Sequence, residues 1–180
     1  MDREYIYSSN DDPILTTEEQ SIIVEWTRNN YKTFRSTGYN RQMQQFDYYD
    51  YDYIPSCIWD IKKRIMDKEH LHGFKQEPMI RDGIGYMTDG GQLQEHTDPN
   101  PVSSNLIHSR FNVYVQIPIK GGLPIYNNQL CSLKERTYIC CRSGIDKHTC
   151  QKVEGPRERI MVSFGFLLPP ERIQNIKYLY

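Results

Sequence analysis

The chain has 180 residues, with 22 Lys and Arg against 23 Asp and Glu, a formal net charge of −1. That length suits one domain with its own hydrophobic core, and the charge balance excludes a broad basic field for nucleic acid or an anionic membrane. No apolar stretch approaches the ~20 residues of a membrane-spanning helix, and the amino terminus lacks the basic and apolar regions of a signal peptide. Five cysteines, an odd number without an export signal, make a disulfide framework unexpected, so the expected location is intracellular, in the cytoplasm.

In chain order, Thr16 followed three residues on by Glu19 forms a capping box and predicts a helix over 16–30. Ile22, Ile23 and Trp26 fall on one face of it, with Trp26 a core anchor. Residues 35–53 are polar and end in Tyr48-Tyr49-Asp50-Tyr51-Asp52-Tyr53. They read as an irregular connection with partly packed tyrosines, and alternatively as a flexible lid or an aromatic surface for a peptide or base. Asp50 and Asp52 read as solvated acids. A second helix is predicted from Pro55 or Ser56 to about Met66, with Ile58, Ile61 and Ile65 as its apolar stripe. His70 and His72, beside Gly73, mark a helix end rather than a metal site.

Beyond Phe74 the texture changes to short strands separated by Gly and Pro. The candidates are 74–80, 84–87, 93–96, 110–118, 124–126, 137–141, 149–153 and 159–168. Two helices followed by eight strands predict a mainly β fold with flanking helices (α+β), a jelly roll braced on one face by helices. The chain is read as one domain over 1–180. It has a helical, tyrosine-rich part at 1–73, a jelly-roll core at 74–168 and a tail at 169–180.

The chemistry centres on Gln92-Leu93-Gln94-Glu95-His96-Thr97-Asp98 and on His148, about fifty residues later. Two histidines and a carboxylate are the ligand set of a non-haem Fe(II) facial triad, which holds one face of an octahedral metal and leaves the other open. Side chains two apart on a strand point the same way, so His96 and Asp98 reach one metal while Thr97 points away. The third ligand must come from a strand across from them. Arg159 then heads Arg159-Ile160-Met161-Val162-Ser163-Phe164-Gly165-Phe166, a strongly strand-like run. A competing tetrahedral zinc site from Cys131, Cys140, Cys141, His148 and Cys150 lacks a Cys-x-x-Cys knuckle. It would also need Cys140 and Cys141 to point the same way from one strand.

With His96-x-Asp98, His148 and Arg159 in that order, the stretch from about Gly85 to Leu168 resembles the Fe(II)- and 2-oxoglutarate-dependent dioxygenases. The resemblance implies a double-stranded β-helix and Fe(II) held by His96, Asp98 and His148. It implies 2-oxoglutarate and O2 as cosubstrates, with ascorbate as support, and the yield of succinate and a hydroxylated substrate. It also implies that Arg159 binds the distal carboxylate of 2-oxoglutarate, a task that suits a planar guanidinium. Ser163, four residues on, shares that strand face and is a candidate donor to the same carboxylate. Arg157 is the rival to Arg159, though beside Gly155 and Pro156 it reads as part of a turn.

In look the chain is most similar to the prolyl 4-hydroxylase-like group, in which a tyrosine placed like Tyr86 hydrogen-bonds the cosubstrate. Collagen-type members usually have lysine where Arg159 stands, a departure that bears on peptidyl proline as the substrate. The run 110–117 alternates, Val113, Val115 and Ile117 on one face and Arg110, Asn112, Tyr114 and Gln116 on the other. A polar face on a central strand lines a cavity or meets water. Tyr114, with Asn112, is therefore expected in the cosubstrate pocket, and Arg110 nearer its rim. A protein or peptide substrate is favoured over nucleic acid, and no membrane partner is expected. The alternatives are a nucleic-acid demethylase of the same superfamily, for which Asn40-Arg41-Gln42 is a faint sign, and a non-catalytic jelly-roll binding module. The demethylase pattern lacks its last-strand asparagine and second arginine here, where Met161 and Gly165 stand.

Overall fold

A computed structural model describes residues 12–46, 52–102 and 105–172. Helix α1 (Thr17–Asn30) starts at its capping box: the Thr16 N–H donates to Glu19 Oε2 at 2.7 Å, and the Glu19 N–H to Thr16 Oγ1 at 3.1 Å. Two orphan donors are thereby satisfied. Ile23 and Thr27 are buried and Trp26 packs against the core, but Ile22, expected on the same face, is 44% exposed. One helical position turns a side chain by about 100°, and that is enough to bring Ile22 out of the stripe. Helix α2 (Cys57–Lys68) buries Ile58, Ile61 and Ile65 completely. No helix among the described residues is long and apolar enough to cross a membrane.

The strands are β1 (Arg35–Gly38), β2 (Arg41–Phe46), β3 (Asp82–Met87), β4 (Leu93–His96), β5 (Ile107–Gln116), β6 (Pro124–Tyr126), β7 (Gln129–Leu130), β8 (Thr137–Cys141), β9 (His148–Cys150) and β10 (Arg159–Leu168). They form a six-stranded sheet in the order β1-β2-β3-β10-β5-β8 and a four-stranded sheet in the order β4-β9-β6-β7. All the pairings are antiparallel. This is the expected jelly roll.

Its larger sheet has two unlike faces. On one face Ile84, Tyr86, Phe111, Val113, Ile160, Val162 and Phe164 pack with the isoleucines of α1 and α2 into the main core. The other face turns toward the smaller sheet, with Tyr114 packing near Tyr126 and Met87 near Cys150. Lys62 of α2 ties the helical layer to the sheet through Asp82 at 2.6 Å.

Three expectations are corrected. Residues 35–46 are not an irregular connection but the hairpin β1–β2, turned by Gly38 and by Asn40 at φ 50. The hairpin lies at the sheet edge and buries only Phe46 fully, so it lacks the apolar alternation that betrays a strand. The predicted strand 74–80 is reduced to one bridge, Gln76 to Phe166. There the buried Glu77 carboxylate accepts the backbone N–H groups of Met79, Ile80 (2.8 Å) and Arg81 (3.2 Å), so those donors never reach a ladder. Ile117 lies past the end of β5 and packs with Tyr114 instead of on the face of Val113. Of the lid reading over 35–53, the tyrosine run falls largely outside the described residues, as does the tail beyond the 3-10 turn Pro170–Arg172.

Candidate metal and dicarboxylate site

Register brings the histidines together. His96 at the end of β4 and His148 at the start of β9 are cross-strand partners, their ring centroids 4.2 Å apart. Asp98 lies beyond the strand end and is placed by its N–H, which donates to the Ser143 carbonyl at 2.7 Å. Asn100 fastens the same loop: its Nδ2 donates to the Gly144 carbonyl at 2.8 Å and its Oδ1 accepts the His108 N–H at 3.0 Å. A Cβ at Gly144 would sit 1.8 Å from Asn100 Oδ1, so any side chain there would push Asn100 out of these hydrogen bonds.

Asp98 Oδ1 is then 3.5 Å from His96 Nε2 and 4.0 Å from His148 Nε2. Ligand atoms of these residues all lie within 4.8 Å of one another. Both Nδ1 atoms face carbonyls, that of Gln94 at 2.8 Å and that of Asp146 at 3.0 Å. A carbonyl only accepts, so each Nδ1 carries a proton and each Nε2 is the nitrogen left to face Asp98. On charged His96 it donates to the carboxylate, and on the neutral ring it is free to bind a metal. Burial pushes the Asp98 pKa up, but the His96 hydrogen bond and the fields of His148 and His108 outweigh it and hold it at about 2. The hydrogen bond to Asp98 raises His96, whereas burial lowers His148. Such a set of ionised carboxylate and fixed Nε2 atoms fits a divalent metal with open positions.

These three residues border a cavity of about 260 Å³ between the sheets. Arg159 and Tyr114 line it too. Arg159 is 5% exposed and its Nε has no hydrogen-bond partner. Its other nitrogens meet the Tyr114 hydroxyl at 3.5 Å and the thioethers of Met161 (3.3 Å) and Met87 (3.9 Å). No carboxylate pairs with it among the described residues. A buried guanidinium with neutral neighbours fits a ligand that brings a carboxylate.

Ser163 lines the cavity, but its hydroxyl donates to Asn112 Oδ1 (2.6 Å) and accepts from Arg110 Nε (2.7 Å). It braces the wall and has no proton left for a carboxylate. Arg110 is buried in that wall rather than at the rim, its Nη1 3.7 Å from Glu77.

Tyr86 is the clearest correction. It stacks on Tyr31 at 4.7 Å on the helical face and donates to Glu158 at 3.3 Å, with the sheet between it and the cavity. Alternation decides this: Met87, not Tyr86, pairs with Arg159 across β3 and β10 and lines the cavity. Arg157 pairs with Glu135 at 2.6 Å, away from the cavity. The cysteines are all free and buried, and Cys140 and Cys141 pack into different cores. His72 pairs with Asp67 at 2.6 Å. Among the described residues, His96, Asp98 and His148 form the one group of three or more side chains able to hold a metal.

Sequence reasoning gave no site role to Arg41, which lines the cavity from β2, or to His108. His108 is fully buried, with Nδ1 unpartnered 3.9 Å from Asp98 Oδ2 and Nε2 3.4 Å from Glu77. The alternation of β5 beyond Arg110 was the available signal for His108; for Arg41 it was the Gly38-x-Asn40 turn just before it.

The jelly roll defined by these two sheets is a fold shared with solved structures. Among solved structures the chain is similar to the viral collagen prolyl hydroxylase of Paramecium Bursaria Chlorella virus-1, a 2-oxoglutarate complex. The TM-score is 0.67 at 13% identity, covering 92% of this chain and 97% of that one. It is similar also to a Pseudomonas putida prolyl-4-hydroxylase, with TM-score 0.58, 14% identity, and 92% and 93% covered. A third is HygX from Streptomyces hygroscopicus with nickel and 2-oxoglutarate bound, with TM-score 0.64, 8% identity, and 91% and 82% covered. At these identities the likeness is one of fold. No protein-family model and no curated protein sequence matches the chain.

Proposed function

We propose that the chain is a single Fe(II)- and 2-oxoglutarate-dependent dioxygenase domain that hydroxylates a substrate, with a peptidyl, proline-containing substrate the first to try. The observation that carries the reading is the pairing of the His96–Asp98–His148 cluster with the uncompensated Arg159 in one cavity. A metal cluster alone fits many chemistries. A buried guanidinium beside it selects for a small dicarboxylate.

His96, Asp98 and His148 would hold Fe(II), with the Gln94 and Asp146 carbonyls keeping both imidazoles in register. Arg159 takes the distal carboxylate of 2-oxoglutarate, with the Tyr114 hydroxyl beside it as a second donor. The thioethers of Met87 and Met161 keep water from that end, which strengthens the ion pair. Bound there, iron and 2-oxoglutarate supply the oxidising chemistry, in which O2 yields succinate, carbon dioxide and a hydroxylated product. The protein's share is position and exclusion of water.

The test is conversion of 2-oxoglutarate to succinate by the purified protein with Fe(II), ascorbate and O2, beside the His148→Ala and Arg159→Ala variants. Succinate release lost in both variants is expected. A metal-loaded protein that does not bind 2-oxoglutarate would sink the proposal and favour a non-catalytic binding module.

A further inference from the structure

Among the described residues three arginines line the cavity, Arg41, Arg110 and Arg159, and one of them has a carboxylate partner there. Arg110 is matched by Glu77, whose carboxylate is also held by three backbone N–H groups. If the cavity holds Fe(II) and 2-oxoglutarate, their charges together with those of Asp98 and Arg159 cancel. Arg41 is left over. Among the described residues its side chain makes one hydrogen bond, from Nη1 to the Thr37 carbonyl at 3.3 Å, and no carboxylate pairs with it.

Register places it well for a second ligand. Arg41 pairs with Met87 on β3, and Met87 pairs with Arg159 on β10, so the three side chains leave the same face of the sheet in one row. With strands ~4.8 Å apart, the two arginines stand roughly 10 Å apart at the backbone, separated by a neutral thioether. One carboxylate of a small diacid at Arg159 does not serve both. The backbone at Arg41 is also fixed. The Asn40 carbonyl accepts the Thr88 N–H at 3.1 Å, and Asn40 Nδ2 donates to the Asp89 carbonyl at 2.5 Å. Partial burial and the field of Arg159 disfavour the charge on Arg41 by more than the fields of Cys150 and Asp98 favour it, so its pKa is lowered and the position lacks an anion of its own.

We infer that the substrate of this site carries a carboxylate and that Arg41 binds it, next to the apolar side chains of Met43 and Leu93. A carboxylate is preferred to phosphate because one guanidinium meets one carboxylate with two parallel hydrogen bonds and full charge balance. A phosphate dianion would leave charge unmatched, and the chain's net charge of −1 offers no surrounding basic field to absorb it. The inference rests on the oxygenase reading and goes further by naming the substrate's chemistry.

The test uses the full chain loaded with Zn(II) and 2-oxoglutarate, which hold the site without turnover. Butyrate, the α-amide of N-acetylglutamate and inorganic phosphate are titrated separately and binding is followed by NMR. Both carboxylates should bind, phosphate more weakly, and Arg41→Gln should weaken the carboxylates by about tenfold or more. Arg41→Lys, which keeps the charge and loses the fork, should fall between. Arg157→Gln, outside the cavity, should change nothing. The tighter of the two carboxylates tells whether a free acid or an acidic side chain is the better match. Equal binding by wild type and Arg41→Gln, or preference for phosphate, would overturn the inference while leaving the oxygenase reading intact. Weaker 2-oxoglutarate binding in Arg41→Gln would overturn it as well, by making Arg41 a cosubstrate ligand. Failure of wild type to hold Zn(II) and 2-oxoglutarate would remove the oxygenase reading and this inference together.

Discussion

The two faces of the larger sheet are made by alternate residues of the same strands, and they have opposite economies. On the helical face, Phe111, Val113, Val162 and Phe164 are fully buried among α1 and α2, and nothing there calls for a ligand. On the cavity face, Arg110, Asn112, Arg159 and Ser163 are almost as deeply buried but polar, and Arg159 lacks a counter-charge. Tyr86 and Tyr114 are the clearest pair, one stacked on Tyr31 and the other under the Arg159 guanidinium, 5.3 Å from the ring centre. One face supplies stability and the other holds unsatisfied groups for function, with a peptide's thickness between them. Such separation lets a site keep costly buried charge without loosening the core that carries it.

Substitutions on opposite faces should therefore fail in opposite ways. His148→Ala is expected to abolish metal binding, measured by metal content after dialysis, and to change unfolding free energy by less than about 1 kcal/mol. Phe111→Ala should cost about 3–5 kcal/mol in urea unfolding and leave the metal affinity of the folded protein unchanged. If both variants lost stability alike, the two faces would not be independent. Arg159→Met sharpens the contrast. It should weaken 2-oxoglutarate at least about thirtyfold, since a charged hydrogen bond is worth about 1.5–3 kcal/mol and more than one is lost. The ligand-free protein should nevertheless be as stable as wild type or more so, because an unpaired buried charge has been removed.

The metal-free site should also make stability depend on pH. Asp98, held at about 2 against an ordinary 3.8, contributes stability that is full above 3.8 and lost as pH falls toward 2. His96 is raised above its ordinary 6.5, so its contribution is full below 6.5 and lost as pH rises through the raised value. The two contributions overlap between about 4 and 6.5, where that of Asp98 is on the order of 2 kcal/mol. The maximum lies toward the alkaline end because His148, lowered by burial, opposes them as pH falls below 6.5. Urea unfolding of the metal-free protein across that range should show the maximum, and His96→Ala should flatten its alkaline side. The smallest effects separate the tyrosines. Tyr114→Phe should weaken 2-oxoglutarate a few-fold, whereas Tyr86→Phe should leave it unchanged and cost about 1 kcal/mol or less of stability.

Much of this was legible in the chain, because local rules act over a few residues. The capping box at Thr16 and Glu19 fixed the start of α1, and the isoleucine spacing of α2 named its buried face. Alternation in β5 separated Val113 from Tyr114. The clustering was legible too: His96-x-Asp98 and His148, expected to share one site, do come together, with Arg159 in the same cavity. Sequence did not show which face of β3 meets the cavity. Tyr86 and Met87 are adjacent, and only the pairing of β3 with β10 gives Met87 to Arg159. It did not show β1–β2 either, whose exposed edge needs no apolar period, and with that hairpin it hid Arg41. Residue type and short-range period determined the elements and the chemistry available to them. Strand register across the sheet decided which charges meet in one cavity and which are left without a partner, because a shift of one residue moves every side chain to the opposite face.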